Sequence, residues 1–279
     1  MKLKVFSHLK KNSTKLKWPN KDLIKEQIKL NGYAIIENFI NKSNLKKIRK
    51  KIDELYRKEI KTYGYNSLKK INDLGVLRSP YLESVTIANE IFSRKVLEIN
   101  KIFFDDQFIL HVNRGIINSR KFSHPAATWH REPPYQNFTT NEPVALTFVH
   151  LIDKNSLSNG GLKILKCSHK WERFPSEDFV NRNFEIPEIK EGSLLVFDSA
   201  LFHCASENKM RTRRSLVTIF TTPLMKQQIN ISKIVDLKKK HDYLSKVNNI
   251  NFILGLTTNS FYSDKEYRDS KLQAKSKIY

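Results

Sequence analysis

The sequence predicts a mostly β protein, an all-β barrel with flanking helices packed on it. Two observations lead there. In the front part apolar residues recur at helical spacing. From Gln107 onward, short runs rich in Val, Ile, Thr and Phe (FILHVNRGII, VALTFVHLI, LKILKC, SLLVFDS, SLVTIFTTP) alternate with breaks such as Asn-Gly-Gly and Glu-Gly. Strands gathered after a helical front half, instead of alternating with helices, argue against a doubly wound parallel sheet.

Residues 18–30 (WPNKDLIKEQIKL) read as a helix with Leu23, Ile24, Ile28 and Leu30 as its apolar positions. Asn31-Gly32 ends it, and Tyr33–Ile36 reads as a short strand. Asn41 or Ser43 can cap a second helix over 42–60, with Leu45, Ile48, Ile52 and Leu55 on one face and lysines on the other. A helical pattern returns from Tyr81 to Phe103. The division expected is a basic arm over 1–17, a candidate for disorder, and one domain over 18–231. That domain has a helical front part at 18–105 and a β core at 106–225. The lysine-rich, partly helical segment 232–279 is expected to cover the barrel or trail from it.

With 279 residues, 39% hydrophobic and 28% charged, the chain has room for one sizeable core. No apolar run approaches the ~20 residues of a membrane helix, and the N-terminus lacks the apolar stretch of a secretory signal. Two cysteines, Cys167 and Cys204, suggest a reducing compartment, with the cytoplasm expected. The net charge of +22 raises nucleic acid as a partner. The lysines are spread over helices and tails, not gathered with aromatics, so a compositional bias accounts for them better. An anionic small molecule or a glycan would also suit a positive field.

The chemistry is carried by Trp129-His130-Arg131-Glu132 and, later, Phe202-His203. Side chains alternate along a strand, so His130 and Glu132 point the same way and can share a metal. His203, 203 − 130 = 73 residues on, completes a two-histidine, one-carboxylate set. Such a set leaves octahedral iron(II) three open positions, two for a keto-acid and one for dioxygen. Arg213, 213 − 203 = 10 residues beyond His203, opens a strand with Ser215 on the same face and Arg214 on the other. A guanidinium fork there suits the remote carboxylate of 2-oxoglutarate, and Ser215 can add a further bond. The spacing alone is met equally well by two ordinary, partly buried histidines.

Over residues 32–231 the chain resembles the phytanoyl-CoA dioxygenase family of iron(II)- and 2-oxoglutarate-dependent oxygenases. NGYAIIENFINKSNLKKIRKKIDEL is similar to that family's opening strand and helix. WHREPPYQ, NGGLKILKCSHK, GSLLVFDSALFH and the Arg-x-Ser run then follow in the family's order. The pattern NRGIIN…WHREPPYQNF with TTPLMKQQINI is similar to a bacterial branch of it.

The resemblance implies a double-stranded β-helix (jelly-roll, cupin-like) barrel with N-terminal helices packed on it. It implies His130, Glu132 and His203 as iron ligands, Arg213 as the anchor of 2-oxoglutarate, and Asn113 as a polar contact to the same co-substrate. The implied cofactors are Fe(II), 2-oxoglutarate and O2. The implied reaction hydroxylates an unactivated C–H of a small metabolite or glycan component, with release of succinate and CO2. The family usually carries Asp where this chain has Glu132. Glutamate keeps the charge and the oxygen donor and adds a methylene.

Around these residues, Tyr135 and Gln136 follow Pro133-Pro134 and are candidates for substrate contact on a rim loop. Arg131 faces away and is expected in a structural salt bridge. Core or surface roles are expected for His150 and His169, a small core role for Cys204, and a turn at Gly160-Gly161. Two other classes fit parts of the pattern: a non-catalytic basic binding protein on this fold, and a cupin-like metal hydrolase or isomerase that needs no Arg213.

Overall fold

The computed structural model describes residues 15–16, 20–122, 125–132, 138–210, 212–231, 233–234, 243–257 and 263–276. Helix α1 (Lys21–Asn31) starts where the Asn20 side chain accepts the Leu23 N–H at 3.0 Å. It stops at Gly32, whose φ of +89° suits glycine and where a Cβ would lie 2.5 Å from Leu201 Cδ1. Ile24 and Ile28 are buried as expected, but Leu30 is 55% exposed; it lies off the buried stripe, and Gln27 and Asn31 are buried in its place.

Helix α2 (Lys42–Tyr63) is capped by Asn41, which accepts the Asn44 N–H at 2.8 Å. It buries Leu45, Ile48, Ile52 and Leu55, and each such side chain contributes about 1.5–3 kcal/mol of hydrophobic stabilisation. The helical pattern expected over 81–103 is split into a 3-10 turn (Pro80–Glu83), α4 (Val85–Ile91) and α5 (Arg94–Phe104), following the short α3 (Tyr65–Lys70). The splits fall at Ser84 and Ser93, whose hydroxyls accept the N–H groups of Ile87 and Val96 and so restart the helix each time.

The strands are β1 (Lys15–Leu16), β2 (Tyr33–Ile36), β3 (Val76–Arg78), β4 (Ile109–Asn118), β5 (Ala145–Leu151), β6 (Leu162–Ile164), β7 (Leu194–Asp198), β8 (His203–Ala205) and β9 (Arg213–Thr221). Seven of them form one sheet in the order β1-β2-β7-β5-β9-β4-β3, and β6 pairs with β8 in a second. All pairs are antiparallel except β1 with β2, so the basic arm contributes an edge strand at Lys15–Leu16.

Residues alternate across the large sheet. Leu146, Phe148, Leu194, Val196, Leu216 and Phe220 join the helices in the main core. Phe220 meets Phe92, Phe108 and Phe148 edge-on, contacts that add about 0.5–1.5 kcal/mol each. The opposite face presents Val149, Leu151, Leu195 and Phe197 to Ile164 of β6 and to Leu201. Two opposed sheets around this second apolar layer are what the structure shows of the expected barrel.

Described residues after β9 cover part of the main core. Leu244, Ile250, Ile253 and Leu254 join the main core, and Gln227 Nε2 donates to the carbonyls of Leu110 (2.7 Å) and Leu254 (3.0 Å). In β4 the pairing with β9 slips between Leu110 and Val112, leaving His111 as a bulge.

Candidate active site

His203 opens β8, and His130 faces it across an isolated antiparallel bridge closed by two backbone hydrogen bonds of 3.0 and 2.9 Å. Their ring centroids are 4.4 Å apart. In each ring Nδ1 bonds the carbonyl two residues upstream, Thr128 O at 2.8 Å and Leu201 O at 2.9 Å. A carbonyl only accepts, so this pattern places a proton on Nδ1, and in the neutral ring it leaves Nε2 with its lone pair free, the tautomer a metal-ligating histidine needs. Burial pushes the His203 pKa down to about 3, with His130 adding to the effect, so His203 is neutral. The edge-on ring of Phe197, 4.7 Å away, closes one side.

Glu132 is fixed through its backbone N–H to Ser199 O at 2.8 Å. Its Oε1 stands 3.9 Å from His130 Nε2 and 3.6 Å from Arg114 Nη1. Among the described residues no three His, Cys, Asp or Glu side chains are drawn together on a single point. The donors nonetheless fit iron(II) in kind: two imidazoles whose Nδ1 atoms are bonded to backbone carbonyls and a carboxylate within 4 Å of the Nε2 of one of them.

Arg213 and Ser215 share one face of β9 and are both buried. Arg213 Nε donates to Gly160 O at 2.9 Å, and among the described residues no carboxylate lies within 4 Å of its guanidinium. Burial lowers its pKa to about 10, with Asp153 opposing the shift, so it remains a cation at neutral pH. A buried, unpaired cation is costly, and an incoming carboxylate would offset that cost. Arg214, on the other face, pairs with both carboxylate oxygens of Asp53 (2.7 and 3.1 Å) and with Asp153 (2.9 Å).

Asn113 corrects the expectation made for it. It pairs with Thr218 on the helix-facing side of the sheet, donates to Thr218 Oγ1 at 2.9 Å, and cannot reach the face that carries Arg213. The bulge at His111 reverses the alternation, so Arg114, opposite Val217, is the polar residue of β4 that faces the candidate ligands. Sequence reasoning missed Arg114; its signal was the arginine in NRGIIN.

Tyr135 and Gln136 lie outside the described residues. Arg131 faces away as expected, but in place of a salt bridge it donates to Trp171 O at 2.7 Å and stacks 3.9 Å over the Phe202 ring. His150, His169 and Cys204 are buried. A cleft of about 920 Å3 lined by Arg120, Lys121, Lys154 and Lys209 includes none of the predicted site residues.

The model of the phytanoyl-CoA dioxygenase (PhyH) family matches residues 28–215. The chain belongs to the phytanoyl-CoA dioxygenase family. It is accordingly a 2-oxoglutarate-dependent dioxygenase that uses iron(II) and dioxygen. The family member is 25% identical over 215 residues to the protein Rv1501 of Mycobacterium tuberculosis, covering 75% of this chain and 78% of that one. It is 27% identical to the dioxygenase olcK of Penicillium canescens, covering 69% and 67%. Among solved structures, EctD from S. alaskensis with 2-oxoglutarate and 5-hydroxyectoine superposes with a TM-score of 0.61 at 16% identity, covering 73% and 76%. The epimerase SnoN of nogalamycin biosynthesis gives 0.54 at 12%, covering 73% and 83%.

Proposed function

We propose that this family member hydroxylates an unactivated C–H of a small metabolite or a glycan component, on a jelly-roll barrel completed by the two opposed sheets. In this reading His130, Glu132 and His203 hold iron(II), while Arg213 and Ser215 hold the remote carboxylate of 2-oxoglutarate. The observation that carries it is the paired imidazoles, each with its Nδ1 proton committed to its own backbone and its Nε2 free. When bound, iron(II) with 2-oxoglutarate and dioxygen supplies the oxidising chemistry, with succinate and CO2 as by-products.

The chain's own groups supply placement. The Thr128 and Leu201 carbonyls lock the tautomers and orientation of the two rings. Gly160 holds Arg213 by Nε, which leaves the two terminal nitrogens of the guanidinium for a carboxylate. Phe197 and the buried layer behind it exclude water from the His203 side. No side chain is needed as a general base.

The test is anaerobic reconstitution with iron(II), followed by 2-oxoglutarate and air. Stoichiometric iron and succinate formation that His130→Ala and His203→Ala abolish are the expected results. Iron retention that survives both substitutions would overturn the ligand assignment.

A further inference from the structure

Arg114 is a largely buried cation whose nearest described counter-charge, Glu132, is one that the metal would take, with Asp73 the lesser. It sits on β4 with its Nη1 3.6 Å from Glu132 Oε1, too long for a hydrogen bond. Its Nη2 donates to the side-chain carbonyl of Gln228 in the covering segment, and its buried Nε has no partner among the described residues. Directly across the ladder stands a second guanidinium, Arg78 of β3, which is bound to Asp73. The bulged His111 is also buried, with Nδ1 unpartnered, and burial together with the Arg114 charge keeps its ring below the usual imidazole range. Two buried nitrogens without a described partner therefore stand on β4, and the two guanidiniums there are balanced only while Glu132 counts as one of their two carboxylates.

We propose that Arg114, with His111, binds an anionic oxygen group of the substrate, a carboxylate or a phosphate. The inference rests on the reading of Glu132 as a metal ligand. A carboxylate bound to iron(II) is neutralised by it, and Arg114 then has only Asp73, which it shares with Arg78, while its buried Nε stays out of water. An anionic substrate restores the balance and places its own C–H bonds beside the metal. Arg213 serves a different anion: it pairs with Asn118, four residues along β4 from Arg114, or roughly 13 Å in the strand direction.

The experiment uses the full chain, loaded anaerobically with iron(II) and 2-oxoglutarate, and follows the visible charge-transfer absorption of that complex. Acetate and inorganic phosphate are titrated in as probes, on wild type and on Arg114→Gln. The expected result is a saturable spectral change in wild type that weakens about tenfold or more in Arg114→Gln, with 2-oxoglutarate affinity retained. Tighter binding of acetate assigns a carboxylic acid substrate, and tighter binding of phosphate a phosphorylated one.

No perturbation by either anion, or an equal response in the two proteins, overturns the proposal. So does a loss of 2-oxoglutarate affinity in Arg114→Gln that matches the loss of anion affinity, because Arg114 would then hold the co-substrate. Failure of wild type to form the absorbing complex at all counts against the iron and 2-oxoglutarate assignment instead. Should Arg114→Gln not fold, Arg114→Lys and His111→Gln carry the same titration, and both are expected to weaken anion binding.

Discussion

The backbone carbonyl of Gly160 accepts the Nε–H of Arg213 at 2.9 Å, and the same oxygen accepts Asn118 Nδ2 at 3.0 Å. A residue that reads only as part of a turn thus helps to aim the proposed co-substrate anchor. Gly160 has φ +73°, and a Cβ there would lie 2.4 Å from Asn118 Nδ2 and 2.8 Å from Asn208 Cβ. Gly160→Ala is therefore expected to destabilise the protein by about 1–3 kcal/mol and to raise the KM for 2-oxoglutarate. Thermal melting and initial-rate kinetics measure the two effects, and a variant with wild-type values for both would remove Gly160 from this role.

Replacing the anchor itself separates co-substrate binding from metal binding. Arg213→Gln is expected to raise the KM for 2-oxoglutarate by roughly 10- to 100-fold, the range for losing a charged hydrogen-bonding partner. Iron affinity should stay near that of the wild type. Competitive titrations of both ligands check this, and a parallel fall in iron affinity would mark Arg213 as merely structural.

The carboxylate ligand makes a graded prediction. Glu132→Ala should lower iron affinity by about 100-fold or more, while Glu132→Asp keeps a donor one methylene shorter and should retain measurable binding. Metal content after dialysis reads both variants, and tight iron retention by Glu132→Ala contradicts the assignment.

His150 gives the pH dependence a direction. Burial pushes its pKa down to about 3, partly offset by the backbone of Glu90, against 6.5 for the free side chain. The folded pKa is depressed, so below 6.5 the unfolded chain takes up a proton that the folded chain refuses. The stability present above that pH is lost as pH falls toward about 3. The share of the slope that His150 contributes is about 1.4 kcal/mol per pH unit within that window, beside those of His169 and His203, which burial also depresses. His150→Leu should lower the slope by about that share in urea unfolding followed at several pH values; an unchanged slope would clear His150.

Elements with strong periodicity were legible in the chain. Strand β2 and the buried stripe of α2 follow directly from apolar spacing, whereas His130 and Glu132, read as a strand, sit at an isolated bridge and a bend. The rest depended on tertiary contacts that carry no local signature. Ser84 and Ser93 divide one helical pattern because their hydroxyls outcompete continuation of the helix. Leu30 fits the amphipathic pattern and still faces solvent. The cover's role rests on Gln227, a polar residue in a polar stretch, whose two backbone partners lie 117 and 27 residues away. Arg114 went unread because its neighbour Asn113 has the more familiar chemistry, and only the ladder shows which of the two faces the ligands.

The slip in β4 at His111 adds one residue to the strand without moving its neighbours off their faces. Deleting that position would leave Leu110 opposite Phe220 and Val112 opposite Ile219 in an unbroken ladder, so Arg114 would stay beside Glu132. Relatives one residue shorter here would thus keep the guanidinium and lose only the imidazole.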